Sequence, residues 1–182
     1  MVNTKNELIA DRYAQALVDI AKEGKLTYEK ISDNLSLIED ILTQSKDLKE
    51  FLVNPLISIE DKKEIIEKVF SKEINVLIIN FLKVLVDKNR FGAFEEVVNS
   101  YKKALDDINN ITRVTVISAV EMTEEAKKKL KIKLEERLKK NVIPDFSINP
   151  DIIAGLVIKI GDNVVDMSLK HKLEDLSKNI IR

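Results

Sequence analysis

The 182-residue sequence contains no cysteine and no tryptophan, one histidine, four glycines and three prolines. Without cysteine there is no disulfide framework, no thiolate metal site and no cysteine nucleophile, which points to a reducing compartment. Scarce glycine and proline starve the chain of turns. Sandwiches and barrels need many turns and long helices few, so the composition argues against an all-β protein. Long apolar runs are also missing. The stretches 76–82 and 152–158 are about seven residues each, against the ~20 that a bilayer-spanning helix requires. The N-terminal segment carries Glu7 and Asp11 and no apolar core of a signal peptide, so the chain is expected to stay where it is made.

Charge is plentiful and nearly balanced, at 30 basic and 31 acidic residues. Residues 1–109 hold 16 basic and 20 acidic side chains, and residues 110–182 hold 14 and 11. This change of sign suggests two domains with different partners. Neither half is basic enough for phosphate neutralisation, and the sequence pI is about 6.0, so no nucleic-acid partner is expected.

Periodicity changes at the same place. Residues 1–109 read as six helices, at 7–23, 28–43, 47–52, from an N-cap at Ser58 through Val69, at 75–88 and at 92–109, joined by loops of a few residues. Ile31, Leu35, Ile38 and Leu42 mark the buried face of the second helix at spacings of four, three and four. The expected architecture is an antiparallel six-helix bundle. From Thr112 a β-branched alternating run predicts a strand, followed by a helix capped by Thr123, then strands at 142–148, 153–160 and 164–167. Gly161-Asp162-Asn163 is read as the hairpin turn before the last of these, and a final helix covers 168–181. The fold class is mainly α, with a small α+β domain over 110–182.

Catalytic chemistry is hard to find in this inventory. No glycine-rich phosphate loop is present. His171 lies among charged helical neighbours and reads as a surface residue. Adjacent acid pairs such as Glu95-Glu96 and Glu124-Glu125 point about 100° apart on a helix and do not converge on a substrate. No enzyme activity, cofactor or metal is expected. The run of lysines at 127–133 has a narrow apolar stripe at Ala126, Leu130, Leu134 and Leu138, suited to packing on a sheet. A membrane-surface role for that helix is the alternative.

Two helices have more apolar surface than a bundle requires. The first places Ile9, Tyr13, Ala16, Leu17 and Ile20 on one stripe and Ala10, Ala14, Val18 and Ala21 on the next. The fifth has Asn80, Lys83 and Asp87 as nearly its only polar positions. Either both helices are central to the bundle, or a groove between them, floored by the small Ala14 and Ala16, admits a partner's amphipathic helix.

Several motifs in order along the chain carry a family likeness. Ala10-Asp11-Arg12-Tyr13-Ala14-Gln15-Ala16-Leu17 resembles the opening helix of the delta subunit of bacterial F-type ATP synthase, the oligomycin-sensitivity-conferring protein of mitochondria. Phe51-Leu52-Val53-Asn54-Pro55, the block from Asn80 to Arg90, and Val116-Ile117-Ser118-Ala119 are similar to landmarks of the same family. So is the C-terminal signature from Ile148 to Asp162, with Val165-Asp166 after it. Met167 departs from the pattern, because the family usually has Gly before the Ser.

The resemblance implies a non-catalytic stator subunit, one copy per complex, on the cytoplasmic face of the bacterial cell membrane without entering the bilayer. It implies that residues 1–109 bind the N-terminal helix of an alpha subunit in a groove between the first and fifth helices. Residues 110–182 would join the C-terminal end of the b-subunit stalk. Tyr13, Ala16, Leu17, Ile20 and Val84 would line the groove, while Gly155, Gly161 and Asp162 would be structural. An unrelated helical adaptor or membrane-surface regulator is the competing expectation.

Overall fold

In the computed structural model the backbone is described for residues 3–161 and 163–180, and side chains for 8–161 and 163–174. Asp162 therefore lies outside the described residues. The chain is mainly helical, with one four-stranded sheet near its C-terminus. Its contacts divide it into two compact units, Met1–Leu105 and Asp106–Arg182.

The first unit holds α1 (Asn3–Lys22), α2 (Tyr28–Gln44), α3 (Lys46–Val53), α4 (Ile59–Phe70), α5 (Val76–Asp87) and most of α6 (Phe94–Ile108). The boundaries follow from local chemistry. The side chains of Thr27, Ser58 and Asn75 accept hydrogen bonds from Lys30 N, Asp61 N and Leu77 N, which satisfies otherwise orphaned donors at the starts of α2, α4 and α5. Gly24, at φ +72, ends α1, with Lys25 N bonded to Ile20 O and Gly24 N to Ala21 O. Asn89, at φ 51, closes α5 the same way, through Arg90 N to Leu85 O and Asn89 N to Val86 O.

All six helices share one core. Ile31, Leu35, Ile38 and Leu42 are buried, as their spacing predicts. Tyr101 is fully buried too, and its hydroxyl donates to Tyr28 O at 3.1 Å. Burial pushes its pKa up to about 12, with the neighbouring Tyr28 and Glu29 adding to the rise.

The division between the units falls inside α6. Its last turn belongs to the second unit, where Asp106 accepts from both Arg113 Nε at 2.6 Å and Arg113 Nη2 at 3.1 Å, and Asp107 accepts from Lys140 Nζ at 3.2 Å.

The second unit continues with β1 (Ile111–Ser118), α7 (Glu124–Leu138), β2 (Asn141–Ile148), β3 (Leu156–Ile160), β4 (Asn163–Asp166) and α8 (Leu169–Ile180). The sheet order is β2-β1-β3-β4; β1 pairs parallel with β2 and antiparallel with β3. A parallel pair needs a crossover, and α7 provides it. Leu134 of α7 is buried against Val114, Val116, Val142 and Ile158, with Leu130 and Leu138 partly covered beside it. The stripe read from the lysine-rich sequence is thus the packing face.

The third strand is shorter than the sequence suggests. It starts at Leu156, because Ile153 sits at φ 68 and ψ −57 and Ala154 N bonds back to Ile152 O at 2.8 Å. That is a γ-turn of the rare positive-φ form, which no extended strand can contain. Periodicity alone could not reveal it, since Ile153 is apolar and β-branched.

Candidate partner-binding site

The α1 and α5 helices meet through aromatic rings. Tyr13 approaches Phe81 edge-on, with centroids 6.1 Å apart and planes inclined at 76°. Such a pair contributes about 0.5–1.5 kcal/mol beyond the area it buries. Phe81 is buried, but Tyr13 is only half-buried, so part of this residue remains accessible.

Residues one turn away extend this contact into an apolar strip. Ala16, three residues on from Tyr13, is exposed, and Ile20 a further turn along is half-buried. On α5, Val84 is 43% exposed three residues on from Phe81, and Leu77 is half-buried four residues before it. The far side of α5 is closed by α4, through Lys63–Asp87 at 2.5 Å and the Lys83–Glu67 pair. An accessible apolar strip on α1 and α5 is therefore left, edged by the exposed Arg12, Gln15, Asp19 and Asn80.

Two residues assigned to this groove from the sequence belong elsewhere. Leu17 is 0% exposed and Ala14 only 2%, both within the core. With 100° between successive helical residues, Ala14, Leu17 and Val18 turn inward, Ala16 turns outward, and Tyr13 and Ile20 lie on the boundary, packed partly against the core. Leu17 supports the helix from behind and has no surface to offer a partner. The sequence reading also passed over Phe81 and Leu77, which continue the stripe of Val84 at spacings of three and four. A separate cleft of 590 Å³ lies along α3, lined by residues including Lys46, Val53 and Pro55, and contains none of these groove residues.

In the C-terminal signature the two glycines have different tasks. Gly155, at φ +92, lies under the chain that enters α8, and a β-carbon there would collide with the carbonyl oxygen of Met167. Leu169 N bonds to Ala154 O at 2.8 Å and Met167 N to Leu156 O at 2.9 Å, one bond on each side of the glycine. Gly161, at φ +55, has open space where a β-carbon would go, so only its backbone conformation selects glycine.

Met167, the departure from the family pattern, keeps a negative φ and is 46% exposed, so neither backbone nor packing requires glycine there. Asp166 accepts from Ser168 N at 2.8 Å, and Ser168 Oγ accepts from His171 N at 3.1 Å, starting α8. The Ser168 hydrogen bonds hold the Asp166 carboxyl below its ordinary pKa.

Among the described residues no group of three or more acidic or histidine side chains is placed to hold a metal, and no helix is long and apolar enough to cross a membrane.

Comparison with known proteins agrees along nearly the whole chain. Residues 9–180 match the family described as ATP synthase delta (OSCP) subunit. The ATP synthase subunit delta of Alkaliphilus metalliredigens is 34% identical over 176 residues, 97% of each chain. That of Clostridioides difficile is 36% identical over 174 residues, covering 95% of this chain and 96% of the relative. Among solved structures, a chain of the Toxoplasma gondii mitochondrial ATP synthase hexamer shares the fold with a TM-score of 0.66 at 19% identity, covering 95% of this chain and 97% of that one. The ordered motifs, the mainly helical fold with its small sheet and these relatives converge: the chain belongs to the ATP synthase delta (OSCP) subunit family.

Proposed function

We propose that this chain is the clamp at the top of an F-type ATP synthase stator, linking the catalytic head to the peripheral stalk and taking no part in the chemistry. Residues 1–109 act as an antiparallel six-helix bundle that seats the N-terminal helix of an alpha subunit against α1 and α5. Residues 110–182 join the C-terminal end of the b-subunit stalk. One copy serves each complex, on the cytoplasmic face of the bacterial membrane.

The observation that carries this reading is the accessible strip of Tyr13, Ala16, Ile20 and Val84 around the Tyr13–Phe81 contact. An amphipathic helix laid there covers apolar surface that the core leaves open, with Tyr13 as an aromatic anchor. Ion flow turns the rotor, and the head would turn with it unless held. A holding contact must dissociate slowly, which favours a buried apolar seat over a rim of charges.

Reconstitution tests the role. Heads stripped of this chain are recombined with the membrane sector, with and without it. The expected result is ion-driven ATP synthesis only when the chain is present, with ATP hydrolysis by the free head unaffected. Equal synthesis in both samples would remove the stator assignment.

A further inference from the structure

The sheet of the second unit is closed on one side and open on the other. On the β2 side, Lys127 Nζ lies 5.6 Å from the centre of the Phe146 ring and Glu135 accepts from Val142 N at 3.2 Å. Pro144, in the middle of β2, has no N–H to offer. The charges on this flank of α7 are paired, Lys127 with Glu124 at 2.7 Å and Lys131 with Glu135 at 3.7 Å.

The opposite flank of α7 differs. At 100° per residue, Lys129, Lys133 and Arg137 fall on the side away from Lys127 and Glu135, toward β3 and β4. All three are exposed, and none makes an ion pair or hydrogen bond among the described residues. Like charges four apart weaken a helix, so the Lys129, Lys133 and Arg137 spacing adds no support along the row.

Beside the row lies an apolar shelf. The strand register sets Val165 next to Ile158 and Ile158 next to Val116, on the face that α7 packs against. Ile158 is buried, Leu156 and Ile160 are partly covered, and Val165 is 48% exposed. Three unpaired cations therefore border an incompletely covered hydrophobic surface.

We propose that this shelf seats an acidic amphipathic helix of a partner protein, its apolar stripe on Val165 and Ile160 and its carboxylates along Lys129, Lys133 and Arg137. The inference rests on the reading of residues 110–182 as the stalk-binding part and specifies the chemistry of the b-subunit end that docks there. A flat anionic membrane fits less well. The outward crest of α7 mixes Glu125 and Glu136 with Lys128 and Ile132, all exposed, so it presents no continuous cationic face to lipid headgroups.

The test uses the assembled synthase with a photo-crosslinking benzoylphenylalanine at position 165 or, on the opposite sheet face, at position 143. The expected adduct joins position 165 to an acid-rich C-terminal segment of the b-subunit. The triple variant Lys129→Glu, Lys133→Glu, Arg137→Glu should keep its melting temperature and lose at least tenfold in retention by the isolated stalk, and wild-type retention should fall with added salt. Labelling of b from position 143 alone, an adduct of 165 with lipid, or salt-independent retention of the triple variant at wild-type strength would overturn the shelf while leaving the stalk reading intact. A chain that stays on the head yet labels b from neither position would overturn the stalk reading as well.

Discussion

Gly155 and Met167, twelve positions apart in sequence, are in backbone contact, with the Ser168 Cα only 3.1 Å from where a β-carbon on Gly155 would stand. The chain entering α8 crosses directly over the residue that precedes β3, and hydrogen bonds from Met167 N and Leu169 N fix it there. The obstacle is backbone, which cannot step aside as a flexible side chain can.

Gly155→Ala is therefore expected to destabilise the second unit by about 3 kcal/mol, combining a left-handed φ with a steric collision. Gly161→Ala, with open space around it, should cost only about 1 kcal/mol. Denaturant unfolding of both variants checks the order. Equal losses would mean that conformation alone selects glycine at position 155.

The inward and outward residues of α1 should separate cleanly. Tyr13→Ala is expected to weaken binding of an alpha-subunit N-terminal peptide by more than ~1 kcal/mol in calorimetry, as anchor residues do, with the fold retained. Leu17→Ala instead removes a fully buried side chain and should cost about 2–5 kcal/mol of stability. Unchanged affinity in a folded Tyr13→Ala protein would refute the groove.

Ala16 offers a complementary test by filling the groove. Ala16→Trp places a large ring on an exposed position, so melting should move little, while peptide affinity should drop about tenfold or more from steric exclusion. Full affinity in this variant would put the peptide elsewhere.

Tyr101 gives a pH-dependent prediction. Its folded pKa is raised to about 12 from an ordinary value of 10.0, so the folded state holds the proton over a range in which the unfolded chain has lost it. The associated stability is complete below pH 10 and disappears as pH rises toward 12. Other groups titrate there too, so the measurement is the difference between wild type and Tyr101→Phe across that window. A constant difference from pH 9 to 12 would show that the phenol does not resist ionisation.

Much of this was legible in the sequence because it depends on local chemistry. Ser58 and Thr123 sit at helix starts where their side chains accept backbone N–H groups, and Gly24 ends α1. What was not legible depends on distant neighbours. Leu17 and Ala16 share one apolar stripe of helix one, and periodicity cannot say which of them faces the core until the other helices are in place. The γ-turn at Ile153 leaves no mark in the pattern either, because Ile153 is apolar and β-branched like its strand neighbours. The signature around Gly155 identified the glycine, and the structure supplies its cause in the Met167 backbone.

The two free edges of the small sheet bear on how copies of this protein meet in a crowded cell. An exposed strand edge is an invitation for an identical strand to add, and repeated addition leads toward fibrils. Here the β2 edge is interrupted by Pro144, and Glu135 of α7 already accepts from Val142 N, while β4 is four residues long. A newly made chain can thus wait for its assembly partners without polymerising through its sheet.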